Sequence, residues 1–172
     1  MACCLFSTNR PYRCSSSCYP CPIFYNNNCN CNCQAGSVTN PVVLPSFAFF
    51  SLTTATAVDA GDIVPVALVT NSGTAISSTT PGVATLSAGT YEAIYSVTSE
   101  IGAGGANTFG LSLGGTTIPA TVSVATGTAG AQTTVGNTAI FTLGTPTTLS
   151  LNNLGADTVT VNNANLTIRK IN

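Results

Sequence analysis

The chain contains no histidine and no tryptophan, and charged residues make up only 5% of its 172 positions, against about 25% in a typical soluble domain. Without histidine, the commonest general base and the commonest nitrogen ligand for metals are both missing. Most hydrolytic chemistry thereby loses its usual parts. Four basic residues against five acidic ones leave no positive footprint for nucleic acid or an anionic membrane. Long apolar runs are absent as well. The most compact one, Ile63 to Val69, contains Pro65 and falls far short of the roughly 18 residues of a membrane span. Beyond position 33 there is no cysteine. The expectation is a protein that is not an enzyme, has no cofactor and no assigned metal, and partners neither nucleic acid nor membrane.

What is present is apolar. Hydrophobic residues account for 44% of the chain and the mean hydropathy is +0.38, which excludes charge-driven disorder for most of the sequence. The length suits one domain with an appended segment. A net charge of −1 does little to hold copies apart, so self-association is the first functional expectation.

Two compositions share the chain. All eight cysteines, Cys3, Cys4, Cys14, Cys18, Cys21, Cys29, Cys31 and Cys33, lie in a segment that mixes Cys with Asn, Ser and Pro and shows neither helical nor strand periodicity. We read residues 1–44 as an extended cysteine-rich connector arm and residues 45–172 as a folded domain. Fully stretched, the first 33 residues reach on the order of 110 Å, enough to touch a neighbouring molecule. The start lacks the basic and apolar regions of a secretion leader, so no signal peptide is expected. Dense cysteine suggests oxidising surroundings, whereas a missing leader suggests cytosolic synthesis. Release by lysis of the producing cell satisfies both.

Cys18-Tyr-Pro-Cys21 has redox or zinc-type spacing, and Cys29, Cys31 and Cys33 are dense enough for a thiolate site. Tetrahedral zinc usually takes two spaced pairs, however. Disulfides are the preferred reading, with all eight cysteines as candidates for bonds between subunits. Eight cysteines allow about 105 complete pairings within one chain, so connectivity stays open. Cys3 and Cys4, nearest the free end, are the first candidates to reach another subunit; pairing back within the arm is the alternative.

From Phe47 onward Thr, Val, Ala, Gly, Ser and Leu dominate, with strand-like runs broken by turn residues about every 8 to 12 positions. Candidate strands are 47–52, 63–69, 74–78, 83–86, 90–98, 108–113, 118–124, 138–143, 147–152, 158–161 and 165–171. Several alternate with period two: Tyr91, Ala93, Tyr95 and Val97 oppose Glu92, Ser96 and Thr98, with Ile94 as an apolar exception on the polar side. Asn71-Ser72-Gly73, Pro81-Gly82, Ala88-Gly89, Gly114-Gly115, Gly136-Asn137 and Asn153-Leu154-Gly155 supply turns. An antiparallel double-sheet sandwich follows.

No charge occurs between Glu100 and Asp157. Ile94 and Ile140, each on the polar side of its strand, and the aromatic cluster Phe47, Phe49 and Phe50 are candidates for burial between subunits, unless a sheet or loop of the same chain covers them. Asp59-Ala-Gly-Asp62 reads as a turn before it reads as a calcium site. Gly102-Ala-Gly-Gly105 lacks the Lys and Ser/Thr of a phosphate loop and reads as a flexible connection. Asn165-Leu-Thr167 has the form of a glycan acceptor but falls in an expected strand. The carboxylates are scattered, and no catalytic residue is assigned.

The stretch Leu86-Ser-Ala-Gly-Thr-Tyr-Glu-Ala-Ile-Tyr-Ser-Val97, the hairpin Phe109-Gly-Leu-Ser-Leu-Gly-Gly-Thr-Thr-Ile-Pro-Ala120, Thr138-Ala-Ile-Phe-Thr-Leu143, Leu149-Ser-Leu-Asn-Asn153 and the ending Ala164-Asn-Leu-Thr-Ile-Arg-Lys-Ile171 together resemble the C-terminal domain of BclA-type spore-surface glycoproteins. Those domains are similar to the trimeric jelly rolls of the tumour necrosis factor superfamily. The resemblance spans roughly Pro45 to Asn172. It implies an all-β, antiparallel jelly-roll sandwich that forms homotrimers on the exterior of endospores after mother-cell lysis. The family's Gly-X-Y stalk is missing, since residues 1–46 contain only Gly36. In its place stands the cysteine arm, which looks like the connectors of endospore appendage subunits. The expected function is a structural subunit that self-assembles into a disulfide-cross-linked fibre or layer, with itself and other spore-surface proteins as partners. The alternative is a trimeric adhesin head for a glycan or host protein.

Overall fold

The computed structural model describes residues 46–172. The eight cysteines and the expected boundary at 44/45 lie outside the described residues. In chain order the strands are β1 (Phe47–Leu52), β2 (Thr56–Val58), β3 (Ala67–Ser72), β4 (Ile76–Thr80), β5 (Val83–Leu86), β6 (Gly89–Glu100), β7 (Ala106–Leu113), β8 (Thr116–Thr117), β9 (Ser123–Thr126), β10 (Gln132–Leu143), β11 (Thr147–Asn153) and β12 (Val159–Lys170), with a 3-10 turn at Pro119–Thr121. One sheet has the order β10-β6-β12-β1-β3, with β2 beside β12; the other has the order β4-β5-β11-β7-β8, with β9 beside β7. Every pairing is antiparallel. Strands distant in sequence lie side by side, giving the expected jelly-roll sandwich.

Period two explains which side chains meet inside. Tyr91, Ala93, Tyr95 and Val97 of β6, with Leu166 and Ile168 of β12 and Ala48 and Phe50 of β1, are buried from one sheet. Phe109, Leu111, Leu149, Leu151 and Leu86 are buried from the other. Each large side chain wholly withdrawn from water adds about 1.5–3 kcal/mol. Tyr95 also ties the sheets together: its hydroxyl lies 2.6 Å from Thr121 O and 3.0 Å from Phe109 O and donates to these carbonyls. Burial pushes this phenol above its ordinary pKa, keeping it a neutral donor.

Several local expectations change. The run 63–69 is not one strand: Ile63 makes a single bridge to Asn152, Val64 and Val66 are buried in irregular backbone, and β3 begins only at Ala67. Pro65 has no N–H to continue a ladder. The expected strand 118–124 contains the 3-10 turn, with Pro119 at its first position. Gly136-Asn137 is no turn but the middle of β10, where Gly136 lies opposite Ser96 and an added Cβ would come within 2.5 Å of Tyr95 O. The two final runs merge into β12, whose register shifts once between Val161 and Asn163. The short β2 carries no periodic signal.

Asp59–Asp62 is the expected turn, closed by Asp62 N donating to Asp59 O at 3.1 Å with Gly61 at φ +84°. The 102–105 loop is tighter than expected. Gly105 N donates to Gly102 O at 3.0 Å, and Gly104 N donates to Asp157 Oδ2 at 2.6 Å. Asn165 lies within β12, where its Oδ1 accepts from Ser51 Oγ.

Candidate self-association face

The outward side of the β10-β6-β12-β1-β3 sheet collects four of the five expected interface residues. Register builds it row by row. Ile140 lies opposite Glu92, Glu92 opposite Arg169, and Arg169 opposite Phe47. In the next row Thr138 lies opposite Ile94, Ile94 opposite Thr167, and Thr167 opposite Phe49. Directly opposed residues project to the same side of a sheet, so Phe47, Phe49, Ile94 and Ile140 share one face.

Phe47 is 41% exposed, Ile94 43% and Ile140 66%, and Phe49 is half-buried. Phe50 does not belong with them. It is 1% exposed and sits in the core of its own chain, because alternation along β1 turns it to the side opposite Phe47 and Phe49. Threonine pairs flank the apolar patch along β6 and β10: Thr90 Oγ1 contacts Thr142 Oγ1 at 3.0 Å, and Thr98 Oγ1 contacts Thr134 Oγ1 at 2.8 Å.

Glu92 and Arg169 stand among these neutral side chains and pair with each other. Glu92 is nearly covered, at 14% exposure of its side chain, while Arg169 remains 63% exposed. The pair is neutral as a unit, so covering this face would not strand a lone charge as long as both members stay together.

The remaining charges are sorted along the long axis. Asp59, Asp62, Glu100 and Asp157 occupy loops and a strand end where β2, β6 and β12 meet. Buried Asn153 organises that end, its Nδ2 lying within 3.1 Å of Val58 O, Asp59 O and Asp157 O. Lys170 stands at the opposite end of β12, about 35 Å away at roughly 3.3 Å per residue. There Lys170 N donates to Ser46 O, beside the point where the arm joins. No group of three or more metal-ligating side chains converges among the described residues, and none of their helices is long and apolar enough to cross a membrane.

No protein-family model and no curated protein matches the chain. The fold does match solved structures. Murine APRIL superposes with a TM-score of 0.60 at 12% identity over 74% of this chain and 100% of that one. The globular domain of zebrafish complement 1qA protein gives 0.59 at 11% identity over 74% and 98%, and Eiger TNF from S. frugiperda gives 0.59 at 12% identity over 75% and 94%. The described residues thus adopt the jelly roll of tumour necrosis factor and C1q domains.

Proposed function

We propose that this chain is a structural subunit: its jelly roll trimerises through the outer face of the β10-β6-β12-β1 sheet, and its cysteine arms join successive trimers into a fibre or layer on the endospore surface. The face carries the trimer. Three apolar side chains between 41% and 66% exposed lie together beside Glu92 and Arg169, which neutralise each other. Such a surface gains by burial against copies of itself. A trimer is also the assembly implied by the likeness to tumour necrosis factor domains.

Cysteine placement supports the division of labour between arm and head. Because no cysteine follows position 33, a disulfide between two copies has to join arm to arm. The heads supply stiff bodies; the covalent links run outside them. Charge fits the same polarity. Residues 1–45 contain Arg10 and Arg13 and no carboxylate, whereas the head carries five carboxylates against Arg169 and Lys170. A head-to-tail contact does not close on itself and so propagates into a filament. Localisation on endospores rests on the sequence resemblance and on the density of cysteine in the arm.

Peptide mapping of oxidised full-length protein tests this. The expected result is disulfides joining arm peptides of two differently isotope-labelled copies. Eight thiols paired wholly within single chains would overturn the cross-linking role.

A further inference from the structure

Strand β3 closes one edge of its sheet and pairs with β1 alone. The side of its backbone turned away from β1 has no strand partner among the described residues. Ala67 to Asn71 are all exposed, including Leu68 at 37% and Val69 at 62%. Open edges are usually guarded by charge or proline, yet Ala-Leu-Val-Thr-Asn-Ser carries neither. The edge does contain one register irregularity against β1, between Phe49 and Phe50, with paired residues on both sides of it. At the other margin of the sheet, β10 is bordered by side-chain bonds from Asn137 Nδ2 to Ala120 O and from Ser123 Oγ to Gly136 O. Among the described residues, strand β3 has no such border.

We propose that the β3 edge receives residues 3–9 of a second copy's arm as an added antiparallel strand. This rests on the fibre reading and names its docking surface. Among the arm's runs free of proline and charge, Cys3-Cys-Leu-Phe-Ser-Thr-Asn9 is long enough for a six-residue edge and lies farthest along the chain from its own head. Positions 26–32 are dominated by asparagine, which strands disfavour. Val42 to Leu44 is bracketed by Pro41 and Pro45 and lies within a few residues of its own β1. Leu5 and Phe6 point to opposite sides of an extended chain, one for each uncovered side of Leu68 and Val69.

Geometry at the end of β3 links this contact to the covalent one. Ser72 pairs with Phe47, and Ser46 Oγ accepts from Ala75 N at 3.3 Å, so the receiving copy's arm leaves its head beside the end of β3. Antiparallel addition brings Cys3 and Cys4 to that same end. The receiving head has no thiol to offer there, but its arm begins at that point and carries Cys33 thirteen residues before Ser46. Docking by backbone hydrogen bonds aligns the arms; oxidation then locks them.

Amide hydrogen exchange on assembled full-length protein, read by mass spectrometry, tests the docking. Within 67–72, the amides that point away from β1 are expected to be protected, and the arm variant Leu5→Pro/Ser7→Pro should raise their exchange at least about tenfold while β6 amides stay unchanged. Placing both prolines in the arm leaves the head sequence intact. Protection should also vanish when reduced protein is diluted to separate subunits. Persistence on dilution would assign the edge to the chain's own arm and overturn the proposal, as would identical β3 exchange in the variant. Fibres whose β3 amides exchange like a loop would overturn the docking and leave the fibre reading intact; absence of fibres would overturn the fibre reading itself.

Discussion

Arg169 of β12 lies directly opposite Glu92 of β6, and their side chains form an ion pair on the outward face of the sheet, in the row that runs from Ile140 to Phe47. In a separated subunit Arg169 is 63% exposed but Glu92 only 14%, and breaking the pair with Arg169→Met should cost about 1–2 kcal/mol. Within the trimer the same substitution leaves Glu92 covered and alone, at a cost of about 3–5 kcal/mol. The double variant Glu92→Gln/Arg169→Met should recover most of that loss. Sedimentation equilibrium of the single and double variants checks the difference.

Ile140→Asp should dissociate the trimer without unfolding the subunit. Ile140 is 66% exposed in the chain alone, so its replacement should change subunit stability by no more than about 0.5 kcal/mol. The new carboxylate would stand opposite Glu92. Light scattering should report monomers whose circular dichroism matches the parent.

Tyr95→Phe removes the hydroxyl that joins two carbonyls across the sandwich and should destabilise the head by about 1–3 kcal/mol in urea unfolding. The pH dependence carries a sign. Folding raises the Tyr95 pKa from its ordinary 10.0, chiefly through burial, so its stabilising contribution is complete below pH 10.0 and lost as pH rises through the folded value. The variant should therefore lose stability less steeply above about pH 10 than the parent.

Asn153→Ala should loosen the acidic end selectively. Its buried amide group lies within 3.1 Å of three backbone carbonyls, and its Oδ1 accepts from Gly155 N at 3.0 Å. Loss of at least about 2 kcal/mol is expected. Hydrogen exchange should rise first in the loops at 59–62 and 154–158.

Much of this architecture is legible in the chain because burial follows period two. The alternation of Tyr91, Ala93, Tyr95 and Val97 identifies the inner side of β6, and it marks Ile94 as an apolar residue on the wrong side for a monomer's core. The same alternation along Phe47–Leu52 separates Phe50 from Phe47 and Phe49, although aromatic density alone groups all three. Register between distant strands leaves no local trace. Nothing near Ile140 announces Glu92 as its neighbour, and nothing near Arg169 announces Phe47; those contacts come from strands brought together by crossovers. Gly136 misleads for a related reason, since its missing side chain serves a close approach to Tyr95 O rather than a turn.

The arm and the head should fail separately. Cys3→Ser/Cys4→Ser should shorten filaments while leaving the thermal transition of the head nearly unchanged, because no cysteine lies within the folded domain. Calorimetry of the variant checks the second half; a large drop in the transition would mean that the arm staples its own domain.

Electron microscopy of the full-length protein, oxidised and then treated with reductant, bears most directly on the central claim. Oxidised protein should form filaments of stacked trimers, and reductant should shorten or disperse them into trimers that keep their fold. Discrete particles under both conditions would contradict it.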